Sequence, residues 1–568
     1  MAQFFYLYFS LLTGIFTLFF LSFSGFPAGI PINRGYIAVS VLLTAAMLWR
    51  FNKKDRRRAV MAELTLWGIL TVFTVLSHNT FDWSYDGKGY HQTSVYFLTK
   101  GWNPVFETAK AFADRFFPAG SFDTLWTQHY VKFGEIIAAN INLALHSSEA
   151  GKVVNFAFAL MVFCYAAFLF SAAKKEDNTH LSAAESLILS FLSAWSPVVV
   201  AQSFSYYVDA LFYSALVLFL LSFIHWNLNV PFKKYVPAGL VFSGVILANI
   251  KISGLPYTAL FTLACGIYLY FSGQRKKLRT LIKTGGLSAG LILLSGLNPY
   301  LTNVRQNLSP FYPLTGENRL DVLYLQLPPK LEEKNKAEQF LISLFSVPKN
   351  TVTCLKNDNA ADKDNFLLHP PFNRPFAVPD LRLGGFGYFF GATLMLCLLL
   401  SCTTGFADKR NKRLFLFVSG LTACTVLFNP VNWWARFIPQ LWSLCIFILF
   451  FGVFARSGLL KKKFIFFGIC ALLLTNNTIM LRQNAAAAGL YTQRMKEYYK
   501  SIRKLPAQKI YFKNSSFSLL LHLEARQIPY QLITGKEYNQ NPLLFNSPPY
   551  SFDGNTQIAF PFFESYLK

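Results

Sequence analysis

A short acidic and aromatic segment has the residue types and spacing best suited to chemistry. It reads FDWSYDGKGYHQ, covers residues 81 to 92, and contains Asp82, Asp86 and His91. A carboxylate at the edge of an apolar phase can keep its charge while facing a partly desolvated cleft, which suits a general base that takes a proton from a hydroxyl. The alternative is structural: both aspartates cap and solvate a loop, while the aromatic residues anchor that loop at a membrane interface.

Two further charged residues interrupt apolar sequence. Asp209 ends the motif YYVD, and Lys251 is the only charged residue in ANIKISGLPY at 248 to 257. A charge this close to hydrocarbon is costly unless it is paired or functional. Asp209 therefore either caps the helix that follows it or belongs to a site. Lys251 either extends its amine to the interface or binds a phosphate group.

Two arginines occupy similar positions. Arg305 lies in an asparagine-rich segment, and Arg436 follows Trp433 and Trp434. A guanidinium binds phosphate through two parallel hydrogen bonds, and neighbouring aromatic rings either stack on a sugar or anchor at the interface. An aromatic belt explains the tryptophans but not a buried charge, so a binding role is favoured for Arg436. For Arg305 both interpretations stay open.

The sequence does not point to a resident metal or cofactor. No cluster of residues has the spacing of a metal site, although Asp82, Asp86 and His91 could together hold a divalent ion. Most of the eight cysteines fall inside apolar segments, which disfavours a disulfide framework or a thiolate metal site. We therefore expect no cofactor and no metal.

The composition is that of a membrane protein. The chain has 568 residues, of which 53% are hydrophobic and 17% aromatic, and its mean hydropathy is +0.34. This is too apolar for an ordinary soluble protein of this length. The net charge of +25 does not indicate nucleic-acid binding, because the basic residues cluster between apolar runs instead of forming one patch.

The apolar runs predict an all-α polytopic membrane protein with about thirteen transmembrane helices, each of roughly 17 to 25 residues. The predicted spans cover residues 3–24, 35–50, 60–78, 152–173, 182–203, 207–226, 235–250, 254–272, 284–300, 384–406, 414–430, 437–455 and 464–482. Alternate short connections carry 22 basic residues, whereas the opposite ones carry only Arg34, Lys251 and Arg436. By the positive-inside rule the N-terminus is cytoplasmic and the C-terminus extracytoplasmic. The expected location is a bacterial inner membrane.

Three long polar stretches fall on the predicted outer side. Residues 1 to 482 form the transmembrane domain, which includes a first outer loop at 79 to 151 and a second at 301 to 383. Residues 483 to 568 predict a small α/β appendage, with helices at 489 to 503 and 517 to 526 and strands at 509 to 513 and 529 to 534. The first apolar run lacks a basic n-region and is long enough to span, so we expect it to be retained.

This plan resembles the GT-C superfamily of membrane glycosyltransferases over nearly the whole chain. The superfamily includes lipid A aminoarabinose transferases, protein O-mannosyltransferases and oligosaccharyltransferases. Its members have many spans, a large first outer loop with an acidic catalytic residue near its start, and often a soluble C-terminal part. The resemblance implies that Asp86, and less securely Asp82, is the catalytic acidic residue. The chain lacks an adjacent acidic pair in the first loop and a Trp-Trp-Asp-Tyr-Gly motif, which disfavours an oligosaccharyltransferase.

The resulting hypothesis is sugar transfer from a polyprenyl-phosphate donor to a hydroxyl of a cell-envelope glycan, lipid or protein. Asp86 would deprotonate the acceptor in an inverting reaction, and Lys251, Arg305 or Arg436 would stabilise the departing phosphate. His91 and Asp209 would line the same cleft. The alternatives are a flippase or transporter for lipid-linked saccharides, a polysaccharide polymerase or ligase, and a non-catalytic assembly protein.

Overall fold

Helices make up most of the computed structural model. It describes residues 2–51, 53, 56–116, 124–173, 180–317, 319–320, 327–346, 379–406, 408–503, 508–511, 518–533, 550–551 and 557–558. Parts of three predicted regions lie outside the described residues, namely the first outer loop (117–123), the second outer loop (318, 321–326 and 347–378) and the C-terminal appendage.

The first half of the chain begins with three long helices and continues through the first outer loop into the centre of the bundle. The helices are α1 (Ala2–Gly25), α2 (Arg34–Phe51), α3 (Arg56–Asn79), α4 (Gln92–Thr99), α5 (Ala109–Phe116), α6 (Leu125–His129), α7 (Phe133–Leu145), α8 (Val153–Ala172), α9 (Ala183–Ala194), α10 (Pro197–Gln202), α11 (Asp209–Asn227), α12 (Val236–Ile250) and α13 (Gly254–Phe271).

The second half contains α14 (Arg275–Ser295), α15 (Thr302–Arg305), α16 (Pro329–Glu332), α17 (Lys336–Phe345), α18 (Phe390–Ser401), α19 (Lys409–Leu427), α20 (Leu441–Phe454), α21 (Lys463–Ile502) and α22 (Ser518–Ala525). Two short strands, β1 (Gln508–Tyr511) and β2 (Tyr530–Ile533), flank α22 and pair in parallel. They correspond to the strands that the sequence predicts at 509 to 513 and 529 to 534. Two further strands, β3 (Tyr550–Ser551) and β4 (Gln557–Ile558), form an antiparallel pair.

Six of the described helices are long and apolar enough to cross a membrane, or seven if one bent pair counts as a single span. The six are α1, α3, α8 with its preceding turn, α11, α13 and α21, and the bent pair joins α14 to residues 297–305 at an angle of 66°. Helices α7, α9, α18 and α20 are apolar but shorter. The protein is thus a helical multi-pass membrane protein, while the total of thirteen spans stays a prediction.

Two predicted spans do not match single helices in the structure, since one is broken and the other is part of a longer helix. The predicted span at 182–203 is divided into α9 and α10, because Ser196 caps a new helix whose first residue is Pro197. Conversely, the predicted span at 464–482 and the predicted helix at 489–503 are one helix of 40 residues, α21. The segment between them contains four consecutive alanines, which favour helix and offer no stop signal.

The centre of the bundle is formed by α8 and α11, whose side chains are buried along almost their whole lengths. They pack against each other and against α1, α9 and α12. Helix α11 runs from Asp209 at one end of the bundle to Asn227 at the other. There Lys277 and Arg410 donate hydrogen bonds to the backbone carbonyls of Trp226 and Asn227, which satisfies acceptors left open at a helix C-terminus.

Candidate functional site at one end of the helix bundle

Asp86 lies in a short helical turn between α3, a candidate membrane span, and the buried helix α4. Residues 87 to 91 form one π-helical turn that runs directly into α4. Gly87 is required at the start of that turn, because a Cβ atom there would lie 2.1 Å from the Oγ of Ser84 and 2.2 Å from an oxygen of Asp82. The backbone at Gly87 therefore packs closely against the side chains of Ser84 and Asp82, and this packing fixes the direction in which the side chain of Asp86 points.

The carboxylate of Asp86 forms an ion pair with Arg436. Its Oδ2 lies 2.7 Å from Nη1 of Arg436, and the same nitrogen is 3.2 Å from Asp380 and 3.9 Å from Asp209. Arg436 lies in the turn that precedes α20. One guanidinium therefore faces three carboxylates that come from separate parts of the chain.

Asp209 links this arginine to Lys251. Its Oδ1 lies 2.6 Å from Nζ of Lys251, and its Oδ2 accepts a hydrogen bond from Gln202 at 3.1 Å. Asp209 is the first residue of α11, and Lys251 directly follows the last residue of α12. Both charges thus lie at helix ends on the same side of the bundle, where burying them costs less than at mid-membrane depth.

Asp380 and Arg382 belong to the same arrangement, although the sequence analysis missed them. Nε of Arg382 lies 2.6 Å from Oδ2 of Asp380, and the hydroxyl of Tyr207 donates to Oδ1 at 3.2 Å. The indole of Trp434 donates to the backbone carbonyl of Asp380 at 2.6 Å. The sequence did contain a signal that could have identified them, namely an acidic and a basic residue in PDLR, just before the apolar run that begins at 384.

We call this group the ionic cluster. It contains equal numbers of carboxylates and cations, namely Asp86, Asp209, Asp380, Lys251, Arg382 and Arg436. Asp86 is its most exposed carboxylate, with 16% of the side chain accessible against 3% for Asp209 and 8% for Asp380. The cluster is electrically balanced as it stands, and Asp86 is the acid that an incoming molecule can reach most easily.

Aromatic rings enclose the cluster. The guanidinium carbon of Arg436 lies 4.5 Å from the ring centre of Trp434 and 5.0 Å from that of Tyr207. Nζ of Lys251 lies 3.9 Å from the ring centre of Phe437. On the side of the first outer loop, Tyr90 packs near Trp126, Tyr130 and His91, with ring centres between 4.2 and 5.9 Å apart. Such walls lower the local dielectric and offer apolar faces to a ligand.

The surroundings shift the proton affinities of several groups. Burial lowers the pKa of Lys251, an effect that Asp209 opposes. Burial would also lower the pKa of Arg436, but Asp86 and Asp380 more than offset it and the pKa is raised well above its ordinary value. Burial, followed by the nearby charges of Asp209 and Glu135, raises the pKa of Tyr130 well above its usual range. Tyr130 is therefore a neutral phenol and Arg436 a permanent cation.

Asp82 lies beside the ionic cluster, but its oxygens bind backbone amides instead of the charged side chains of the cluster. Only 1% of the residue is exposed. Its Oδ2 accepts a hydrogen bond from the backbone amide of Tyr206 at 2.7 Å, and its Oδ1 accepts one from the amide of Ser84 at 2.8 Å. Both oxygens are thus committed to backbone donors, in line with the capping interpretation. This geometry gives Asp82 a structural environment and leaves Asp86 as the accessible carboxylate.

His91 is buried with a different acid. Its Nδ1 lies 2.6 Å from Oε1 of Glu135, and both side chains are almost fully enclosed. They line a small cavity together with Tyr207 and Asn155. Among the described residues no group of three or more His, Cys, Asp or Glu side chains is arranged to hold a metal ion. Asp82, Asp86 and His91 therefore do not converge as a set of ligands.

Arg305 ends α15 and is exposed. Within the described part of the chain it makes no side-chain contact with the ionic cluster, so its predicted phosphate-binding role stays a prediction. Asp86, Asp209, Lys251 and Arg436 are therefore the predicted site residues that the fold brings together, while Asp82 and His91 occupy the neighbouring layer.

A large apolar groove begins near Lys251. It lies between α13 and α14, has a volume of about 1420 Å³, and is lined by residues such as Leu255, Ile267, Leu278, Gly290 and Tyr300. The hydroxyl of Tyr300 donates to the carbonyl of Ala248, three residues before Lys251. Bending of the chain after α14, at Gly296 and Pro299, brings the groove wall to this end of the bundle.

Comparisons with protein-family models, with curated proteins and with solved structures found no match for this chain. The fold defines the class as a helical multi-pass integral membrane protein. Within that class, the distinguishing feature is a balanced ionic cluster at the ends of several helices, next to an apolar groove.

Proposed function

We propose that this protein is a membrane glycosyltransferase that moves a sugar from a polyprenyl-phosphate donor to a hydroxyl acceptor on the extracytoplasmic side. The observation that carries the proposal is the position of Asp86, the most exposed carboxylate of the ionic cluster, at 2.7 Å from Arg436. A general base and a phosphate-binding cation are thus neighbours. Asp86 is the residue that the GT-C resemblance implies as catalytic, and Arg436 has the phosphate-binding side chain that the sequence analysis favours.

In the proposed reaction, Asp86 accepts the proton of the acceptor hydroxyl as its oxygen attacks the anomeric carbon. The new bond joins the acceptor oxygen to that carbon, and the bond between the carbon and the phosphate oxygen breaks. The electron pair leaves with the lipid phosphate. Arg436 and Lys251 stabilise its negative charge, which is the kind of electrostatic contribution that is often the largest in such a reaction.

The pairing of Asp86 with Arg436 also suggests how the base is activated. Without substrate, one oxygen of the carboxylate is held by the guanidinium of Arg436 at 2.7 Å. A phosphate group binds a guanidinium through two parallel hydrogen bonds and therefore competes with Asp86 for Arg436. Donor binding would release Asp86 to accept a proton only when a leaving group is in place.

The apolar groove supports a lipid-linked donor. A polyprenyl chain requires a long apolar channel that opens towards the membrane, and the groove between α13 and α14 offers one that ends near Lys251. A polyprenyl chain that leaves the bilayer for this groove exchanges one apolar environment for another, so the groove would position the donor by packing contacts and add little hydrophobic free energy. A nucleotide sugar, which is cytoplasmic and lacks a lipid tail, would not need this groove.

A flippase or transporter for lipid-linked saccharides is the second candidate. The observation that favours it is the sharp bend of 66° after α14, because broken helices are typical of transporter sites. The charged residues, however, lie at helix ends on one side of the bundle. That arrangement favours chemistry at one face over passage through the membrane. A polysaccharide polymerase or ligase would share the site and differ in its donor.

The test is transfer of labelled sugar from polyprenyl-phosphate donors to cell-envelope acceptors by the purified protein in nanodiscs. Asp86→Asn should reduce transfer by at least 100-fold, the lower range for losing a general base. Asp114→Asn is the matched control, since Asp114 is exposed on α5 and forms an ion pair with Lys110. Equal transfer by both variants would remove Asp86 from the mechanism. Movement of the donor across the membrane without transfer would favour the flippase.

A further inference from the structure

Glu149, a carboxylate outside the ionic cluster, holds both ends of the loop that carries Asp86. Its Oε2 accepts a hydrogen bond from the backbone amide of Asp82 at 3.2 Å, and its Oε1 accepts one from Nε2 of Gln92 at 3.2 Å. Lys152 forms an ion pair with the same carboxylate. Asp82 and Gln92 bound the loop, so this one buried side chain contacts both of its ends.

The C-terminal helix α22 reaches the same carboxylate from the other side. Nε2 of His522 lies 3.2 Å from Oε1 of Glu149, and Nδ1 lies 3.0 Å from Oγ of Ser148. The imidazole packs against Phe81, with ring centres 5.1 Å apart. These contacts are satisfied together when His522 is neutral, donates from Nε2 and accepts from Ser148 at Nδ1, a tautomer assigned from the hydrogen-bond network.

A second contact fastens the same helix. Glu524 lies 2.6 Å from Nζ of Lys100 and accepts a hydrogen bond from the hydroxyl of Tyr96 at 2.7 Å. Both partners lie on or directly after α4, which follows the loop that carries Asp86. The docking of α22 is therefore continuous with the first outer loop.

Cations predominate around His522. The charged and titratable groups that face it are Arg526 just after its own helix, Glu149 and Lys152 in the turn before α8, Lys88 in the Asp86 loop and Tyr499 on α21. Nη1 of Arg526 lies 3.4 Å from Nδ1 of His522. Burial, followed by these cations, holds the pKa of His522 well below its ordinary value of 6.5. A proton on Nδ1 would face Arg526 and lose the hydrogen bond from Ser148.

We propose that Glu149 is a positioning residue for Asp86, and that α22 secures it through neutral His522, so that acidification undocks α22 and loosens the loop. Any effect of this docking on catalysis rests on the proposed function, whereas the pH dependence of the docking itself does not. The device makes the first outer loop sensitive to the pH of the compartment that α22 faces.

The direction follows from proton linkage. When α22 undocks, His522 regains its ordinary pKa and takes up a proton as the pH falls below about 6.5, whereas the docked form stays neutral. Between pH 7.5 and 5.5 the titration of His522 alone should therefore weaken the docking equilibrium about tenfold. Glu149 acts in the opposite sense, because burial raises its pKa and proton uptake by the docked form favours docking. Glu149→Gln removes that opposing contribution.

Hydrogen exchange of the full-length protein in nanodiscs tests the docking directly. After correction for intrinsic rates, residues 518 to 526 and 81 to 92 should both lose protection between pH 7.5 and 5.5, by at most about tenfold because Glu149 opposes His522. In His522→Gln, an amide replaces the Nε2 donor to Glu149 but does not titrate, so the protection should stay constant. His180→Gln, at an exposed histidine, should behave like wild type. Constant protection in wild type, or equal loss in His522→Gln, would overturn the proposal.

Sugar transfer supplies a separate measurement of positioning. Wild-type kcat should fall more steeply than that of His522→Gln between pH 7.5 and 5.5, at equal KM for the donor. Parallel pH profiles in the two proteins would contradict the positioning role of Glu149. If wild type transfers no sugar at any pH, the proposed function fails, while the exchange experiment still decides whether α22 undocks.

Discussion

Arg436 lies 2.7 Å from Asp86, although the two residues are 350 positions apart in the chain. The pair joins the first outer loop to the turn before α20, and through Asp209 and Asp380 it joins both to α11 and to the segment before α18. Because this one guanidinium is shared among three carboxylates, its removal should affect the fold and the site together.

Replacing Arg436 with alanine should destabilise the protein strongly. Three carboxylates would lose their common cation, and an uncompensated buried charge typically costs about 3 to 5 kcal/mol. Arg436→Lys should recover part of the loss, since an ammonium supplies the charge without the planar fork. Thermal unfolding in detergent measures the effect. Arg305→Ala, at an exposed arginine, should lie within about 0.5 kcal/mol of wild type, and equal stability of the two alanine variants would contradict the cluster.

The pair Asp209 and Lys251 should behave as one unit. Asp209→Asn leaves Lys251 without its ion-pair partner, and Lys251→Met leaves Asp209 with only the more distant Arg436. The losses of stability in the two single variants should add up to more than the loss in the double variant. The difference, which is the coupling energy, should be about 0.5 to 3 kcal/mol. A double-mutant cycle by chemical unfolding measures this energy, and additive effects would show that the two side chains do not depend on each other.

Gly87→Ala should loosen the Asp86 loop. The added methyl group would overlap with Ser84 and Asp82, whose side chain is held by backbone amides and cannot move away freely. Gly89→Ala is the control, since a Cβ atom there meets nothing within 4 Å. Hydrogen exchange over residues 81 to 92 should show reduced protection in Gly87→Ala alone. Equal protection in both variants would mean that the turn adapts without cost.

Much of the fold follows from sequence periodicity and charge, because a membrane tolerates only helices with satisfied backbones. Asp209, Lys251 and Arg436 were identifiable as charges that interrupt apolar runs, which is costly without a partner. Their partners were not identifiable in this way. Asp380 and Arg382 lie in a polar segment far from the first loop, and only the packing of distant helices brings them to Arg436.

Neighbouring positions in the sequence were a poor guide to roles within the first loop. Asp82 and Asp86 are four residues apart, which would place them on one face of a helix. The chain is not helical between 80 and 84, so the two carboxylates point to different partners. The pairing of His91 with Glu135 was equally hidden, since the two residues lie 44 positions apart.

Lys132 should make the first outer loop more stable in mild alkali. Burial lowers the pKa of Lys132 to about 7, against the opposing charge of Glu135. Between that value and its ordinary value of 10.5, the unfolded chain binds a proton that the folded chain does not, so stability rises with pH by at most about 1.4 kcal/mol per unit. Thermal unfolding at pH 7, 8 and 9 measures the slope.

Lys132→Met should flatten that slope, whereas Lys110→Met should leave it unchanged, because Lys110 is an exposed residue of α5. A neutral amine can still donate to the carbonyl of Tyr130, which Nζ of Lys132 contacts at 2.6 Å, so folding does not require the charge. The same slope in wild type and Lys132→Met would show that another group controls the alkaline stability.

Filling the apolar groove should weaken donor binding selectively. Gly290 lines the groove, and a Cβ atom there meets nothing within 4 Å, so Gly290→Trp can be accommodated only by occupying the channel. The displaced part of the polyprenyl chain stays in lipid, so the loss is one of packing contacts at about 0.1 to 0.2 kcal/mol per atom pair, and several such contacts correspond to roughly a threefold rise in KM at unchanged kcat. Steady-state transfer with long-chain donors measures this rise.

Two comparisons make that result specific to the lipid chain. Gly286→Trp is the matched variant on the same helix, since Gly286 has equal space but is not part of the groove lining. A short-chain donor, which would not extend to Gly290, should give the same KM with wild type and Gly290→Trp. A rise in KM for both donors, or for both tryptophan variants, would point to distortion of α14 instead of competition for the groove.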